Sequence, residues 1–162
     1  MVRFAEQAWF SAAQKIPAGM EEAFGFKNLE EIEKSSIGEP IRMYYWQGRE
    51  DGEIITSNTY RFPILVDGKK VSLLTVSTDG EMTSEDFGGA ILARNIQDIS
   101  DAYQVKITGI LRIHIINSDF LVFEEKNISY FIPVVPHTLS NLSQKNVLEL
   151  NDIVTIVRNQ NI

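Results

Sequence analysis

Three consecutive aromatic residues, Tyr44, Tyr45 and Trp46, are the side chains of this sequence best suited to contact a ligand. Successive side chains of a strand point to opposite faces, so Tyr44 and Trp46 share one face of the strand. The chain has helices enough to cover only one face of a sheet, and an exposed Tyr/Trp pair is typical of recognition surfaces. We therefore predict that Tyr44 and Trp46, together with Tyr60, bind a ligand, and that Trp46→Ala weakens binding without unfolding the domain. The alternative is that both faces of the sheet are buried.

A histidine within an apolar run offers a second kind of chemistry. His114 lies in Leu-Arg-Ile-His-Ile-Ile, where strand alternation places it on the face of Arg112 and Ile116. A general base needs a partner that orients it, and Asp119 or Glu124 are the acidic candidates nearby in the chain. The sequence thus permits a small hydrolase or isomerase with His114 as base, while a solvated strand histidine is the competing interpretation.

An acidic segment provides the candidate metal ligands. Its carboxylates are Asp79, Glu81, Glu85 and Asp86, hard oxygen donors of the kind that Ca²⁺ prefers. The EF-hand pattern is not met, because a glycine stands at the second position and later ligands are missing. The other histidine, His137, is not at metal-ligand spacing from the first. The main prediction is therefore no metal and no cofactor, with the acidic segment as the alternative metal site.

Composition excludes several classes of function. The chain has 162 residues, no cysteine and a net charge of −7. Disulfides, thiolate metal sites and a cysteine nucleophile are excluded. The negative charge repels phosphate backbones, and Lys69-Lys70 is the only adjacent basic pair, so we expect no nucleic-acid partner. The sequence also contains no nucleophile elbow, phosphate loop or dinucleotide fingerprint.

The sequence does not determine the cellular location of the protein. No run approaches the roughly 18 apolar residues of a membrane span, and the N-terminus lacks the pattern of a signal peptide. An exported or cell-envelope protein is expected if a signal has been removed before Met1, and a cytoplasmic one otherwise.

The elements follow from periodicity and turn chemistry. Helices are predicted over 4–16, with Trp9 as a core anchor, from Asn28 onward with Leu29 facing inward, and over 90–99. Strands are predicted over 41–46 and 53–59, as a hairpin over 60–76 around Asp67-Gly68, over 103–116, and as a second hairpin over 120–135. Residues 79–86 are predicted to form a polar loop, and the segment after Asn151 a helix. Tight hairpins join antiparallel neighbours, so the sequence indicates an α+β fold with an antiparallel sheet.

The segment from Arg61 to Lys69, Arg-Phe-Pro-Ile-Leu-Val-Asp-Gly-Lys, followed by Leu73-Leu74-Thr75-Val76, resembles small secreted or cell-envelope domains of the cystatin-like and PepSY type. The resemblance implies N-terminal helices on one face of a curved antiparallel sheet over residues 1–100, with further strands over 101–162 that extend the same sheet or form a second small layer. It also implies a binding or regulatory module. The Gln-x-Val-x-Gly loop of cystatin inhibitors is absent, so the resemblance does not extend to protease inhibition through that loop.

These observations favour a non-catalytic module that recognises a protein, peptide or glycan through a sheet face or a sheet edge. An exposed edge accepts an extended peptide as an additional strand, and it also permits homodimerisation by sheet-edge pairing. The alternatives are the His114 enzyme and a structural subunit of an envelope or secreted assembly, for which large exposed apolar patches are expected.

Overall fold

The computed structural model describes residues 1–48, 52–134 and 142–160, apart from the side chains of Glu85 and Gln160. The described helices are α1 (Val2–Ala13), α2 (Leu29–Lys34), α3 (Ala90–Tyr103) and α4 (Leu150–Gln160). The described strands are β1 (Ser36–Ile37), β2 (Ile41–Gln47), β3 (Glu53–Val66), β4 (Lys69–Ser77), β5 (Thr83–Gly88), β6 (Gly109–Ile113), β7 (Ser118–Glu125) and β8 (Ile128–Pro133). The predicted α+β class with a mostly antiparallel sheet is confirmed.

The chain divides into two compact units. The first unit contains Met1–Ile41 and Asn58–Asp98, and the second contains Arg42–Ser57 and Ile99–Ile162. The step between residues 98 and 99 lies near the boundary predicted at 100, whereas the segment 42–57 joins the C-terminal residues.

The first unit is built on the hairpin that the sequence indicates most strongly. Its strands are hydrogen bonded in the order β5-β4-β3, all antiparallel, and β1 also pairs with β3. Asp67 and Gly68 both have positive φ, 50° and 77°, as the type I′ turn requires, and this prediction is confirmed. Pro63 lies inside β3, which has β4 on one side and β1 on the other, and the register between β3 and β4 shifts one residue later, between Ile64 and Leu65.

Helix α1 covers one face of the first unit. Ala5 and Trp9 on α1 are buried against side chains of β3 and β4, including Phe62, Ile64 and Val76. Phe26, which follows a 3₁₀ turn at Glu21–Phe24, stacks on Trp9 with ring centroids 5.7 Å apart. The role predicted for Trp9 as a core anchor is confirmed.

Helix α2 begins at a side-chain cap. Asn28 Oδ1 accepts a hydrogen bond from the backbone N–H of Glu31 at 3.0 Å, as the sequence predicts. In a capping box the Glu31 carboxylate would accept from the Asn28 N–H; here it accepts instead from the Lys27 N–H at 2.7 Å, one residue earlier. Leu29 is 52% exposed rather than facing inward.

The second unit has the strand order β3-β2-β6-β7-β8, in which Glu53–Ser57 supply the β3 part. Strands β6, β7 and β8 are antiparallel neighbours, and β2 pairs with β6 in parallel. The hairpin predicted over 120–135 is confirmed over the described residues, with its turn at Lys126 and Asn127, both at positive φ. Helix α4 covers one face of this unit, where Ile153 and Val157 are fully buried against β6, β7 and β8.

The strand predicted over 103–116 is shorter than expected. Helix α3 continues to Tyr103, the strand itself begins at Gly109, and a 3₁₀ turn at His114–Ile116 ends it. In the described parts of the chain, no helix is both long and apolar enough to cross a membrane.

Candidate functional site

Trp46 lies in the core of the second unit. It is 7% exposed and belongs to a cluster with Leu111, Phe120 and Ile153 under α4. The backbone of Gly52 is so close to the indole that a Cβ there would lie 2.2 Å from Trp46 Nε1. The expected exposed Tyr/Trp pair is therefore not present, because α4 covers the face on which Trp46 lies.

The two tyrosines predicted with Trp46 are partly buried. Tyr44 packs against the same cluster, and its ring lies over Gly109, where a Cβ would come within 2.4 Å of Tyr44 Cε2. Tyr60 instead packs against the core of the first unit. The three residues thus belong to two different cores, and their role as ligand contacts stays a prediction.

His114 is exposed and stacks on Tyr45, with ring centroids 5.8 Å apart and an angle of 6° between the planes. In the part of the chain that the structure describes, no carboxylate lies within ion-pair distance of His114. A general base oriented by an acidic partner requires such a contact. The geometry therefore provides a stacked surface histidine rather than a His–carboxylate pair.

The acidic partner proposed for His114 is engaged elsewhere. Asp119 Oδ2 pairs with Arg112 Nη1 at 3.2 Å, and the two residues face each other across β6 and β7. Asn117 Oδ1 accepts a hydrogen bond from Arg112 Nη2 at 2.5 Å. Glu124 is exposed and lies opposite Ser129 on the β7–β8 ladder. Asp119 is therefore held in a cross-strand ion pair with Arg112 rather than in a contact with His114.

The acidic segment is partly a strand rather than a loop. Asp79 accepts a hydrogen bond from Asn58 Nδ2 at 2.6 Å, and Asp86 lies within β5. Among the described side chains, no three acidic or histidine residues are grouped so as to hold a metal ion. Because the Glu85 side chain is not described, the metal alternative with Asp79, Glu81, Glu85 and Asp86 stays a prediction. His137 lies outside the described residues.

Strand β5, which the sequence did not predict, forms the end of the sheet in the first unit. In the described residues its one strand neighbour is β4, with Ser84 opposite Val76 and Phe87 opposite Leu74. A register shift at Glu85 places Ser84 and Phe87, three residues apart, on the same face. Thr83, Ser84 and Asp86 are exposed. The outer edge of β5 is therefore open for pairing with an extended chain.

A groove of about 470 Å³ lies between this edge and α1. Ala8 and Ala12 of α1, with Lys15 in the turn that follows the helix, form one side, and Ser84 and Asp86 of β5 form the other. Phe87 closes the bottom, where it stacks on Phe24 at 5.0 Å and meets Trp9 edge-on at 6.1 Å. Aromatic packing under the groove thus fixes β5 against the core.

The terminal strand of the second unit is less accessible. Phe131 of β8 exchanges two backbone hydrogen bonds with Leu148, both 2.9 Å long, on the side away from β7. This pairing covers part of the β8 edge. Within the described residues, the outer edge of β5 has no such backbone partner, and neither does that of the two-residue strand β1 beside β3.

Comparison with known proteins finds no family model, no curated protein and no solved structure that matches this chain. The support for the candidate site is therefore the geometry of the β5 edge and of the groove beside it.

Proposed function

We propose that this protein is a non-catalytic binding module that captures an extended peptide segment of a partner protein along the outer edge of β5. The observation that supports it is a terminal strand with an open edge next to a groove walled by α1. Strand addition needs only backbone groups for affinity and a few side-chain pockets for specificity. Alternate side chains of the added peptide would enter the groove between Ser84 and Lys15.

A peptide is favoured over a glycan by the placement of the aromatic residues. Glycan recognition through Tyr44 and Trp46 requires an exposed ring, whereas Trp46 is buried and Tyr44 lies over Gly109. The β5 edge offers backbone donors and acceptors together with polar side chains. A finer relation to cystatin-like or PepSY domains is part of this proposal, and helix α1 on the antiparallel strands β3, β4 and β5 supports it.

The test begins with selection of linear peptides from a displayed library on the folded protein. Selected peptides are synthesised with an N-methyl group at each position in turn, and binding is measured by fluorescence anisotropy. In strand addition only alternate peptide amides donate to the protein edge, so N-methylation should weaken binding at every second position by about tenfold. A uniform or irregular profile, or failure to select any peptide, would contradict the proposal.

Two adjacent variants locate the binding edge. Consecutive strand residues direct their N–H groups to opposite edges, so one of Thr83→Pro and Ser84→Pro removes a bond to β4 and the other blocks only the outer edge. We expect one variant to lose stability and the other to retain its melting temperature while losing peptide binding. Retention of binding by the stable variant would exclude β5 as the site.

A further inference from the structure

A second surface of the first unit is an apolar cleft between α1 and α2, on residues that the β5 groove does not use. The cleft has a volume of about 640 Å³, within the usual range for ligand sites. Its lining includes Trp9, Ile16, Ile32 and Ile37, and Trp9 Nε1–H donates to Ser35 Oγ at 2.9 Å at its wall. The buried indole is thus held in a fixed position at the cleft.

Each wall of the cleft presents one large apolar side chain to solvent. Phe10 on α1 is 69% exposed and Leu29 on α2 is 52% exposed. A small molecule inside the cleft would leave these two rim side chains in water. A partner that extends across the rim buries both, so the exposed pair favours a segment of another protein.

Each wall also carries a carboxylate one helical turn from its apolar residue. Glu6 precedes Phe10 by four residues on α1, and Glu33 follows Leu29 by four residues on α2, so each pair lies on one helix face. The other acidic residues of α2 have basic partners, since Lys34 pairs with Glu30 and Lys27 with Glu31. Among the described residues, Glu6 and Glu33 have no ion-pair partner.

We propose that the α1–α2 cleft docks a basic amphipathic helix of a partner protein. An apolar side chain of that helix enters between Phe10 and Leu29, and Lys or Arg residues one turn away meet Glu6 and Glu33. Helices that lay an apolar face into a groove use anchors at this spacing, and charge complementarity at the rim favours a basic partner over an acidic one.

The test uses a synthetic helical peptide of Leu and Lys, about four turns long, with all leucines on one face. Its comparison peptides are a shuffled Leu/Lys sequence without an apolar face and the same pattern built from Leu and Glu. Binding is followed by the indole N–H resonances of the ¹⁵N-labelled protein, assigned with Trp9→Phe. Trp9 lines the cleft and Trp46 lies in the core of the other unit, so the protein contains its own control.

The amphipathic Leu/Lys peptide should shift the Trp9 resonance and leave that of Trp46 unchanged. Glu6→Gln and Glu33→Gln should each raise the Kd by about two- to fivefold, as expected for exposed ion pairs. Glu22→Gln removes the same charge from an exposed position outside the cleft and should leave the Kd nearly unchanged. Equal effects of the three variants would mean that net charge alone attracts the peptide, which overturns the proposal.

Two serine substitutions, one in the cleft and one control outside it, test the apolar part of the site. Phe10→Ser should raise the Kd about fivefold or more, whereas Ile128→Ser, at a residue 46% exposed in the second unit, should not change it. Both residues are exposed, so both variants should fold. Equal binding of the shuffled peptide, an unmoved Trp9 resonance, or a shift produced by a small arylalkylamine but not by the peptide would each exclude a docked helix.

Discussion

Replacement of Trp46 by alanine tests whether this residue stabilises the second unit or is free to contact ligand. The indole is 7% exposed, beneath α4. A tryptophan buries roughly 200 Å² of surface, and at about 25 cal/mol per Å² this burial contributes about 5 kcal/mol. Alanine keeps the Cβ, and the surrounding side chains relax only in part, so we expect a loss of about 4 kcal/mol. With a urea m-value of about 2 kcal/mol/M, the unfolding midpoint should fall by about 2 M.

Urea unfolding followed by far-ultraviolet circular dichroism measures this change. The matched control is Phe10→Ala, which removes an aromatic ring that is 69% exposed and should alter stability by less than about 0.5 kcal/mol. Acrylamide quenching of Trp46 in the Trp9→Phe background should be weak, because the ring is shielded. A midpoint lowered by less than about 0.5 M, together with strong quenching, would refute the burial argument and restore Trp46 as a candidate ligand contact.

Three further changes test the packing within the individual units. Gly25→Ala should lower the free energy of unfolding by more than about 3 kcal/mol, because Gly25 has φ +95° and a Cβ would lie 2.0 Å from the Val71 carbonyl oxygen. A folded, fully stable variant would contradict this. Asn28→Ala should cost about 1 kcal/mol, since it removes the side-chain acceptor for the Glu31 N–H, and Asn28→Asp should largely retain stability in the same denaturant titration. Ile153→Ala should cost about 2–5 kcal/mol in thermal unfolding, because the side chain is fully buried under α4, whereas no change would mean that α4 is not docked.

Local sequence determined the elements whose signals lie within a few residues. Asp67-Gly68 specified a type I′ turn because aspartate and glycine both tolerate the positive φ that this turn requires. The three- and four-residue spacing of apolar side chains specified α1, with Trp9 in the core, and the side chain of Asn28 specified the start of α2. These features need no information about distant residues, so they could be predicted.

Tertiary structure alone decided which surfaces are open. The residues of β5, Thr-Ser-Glu-Asp-Phe-Gly, lack apolar alternation and indicate a loop, and they become a strand only because β4 presents a backbone edge to them. The parallel pairing of β2 with β6 joins residues more than sixty positions apart, which no local pattern encodes. Trp46 is buried because α4, from the end of the chain, packs over it, while Leu29 at the start of a short helix remains exposed. Burial depends on what the rest of the chain places against a residue, so the proposed binding surfaces could be found only after the fold was known.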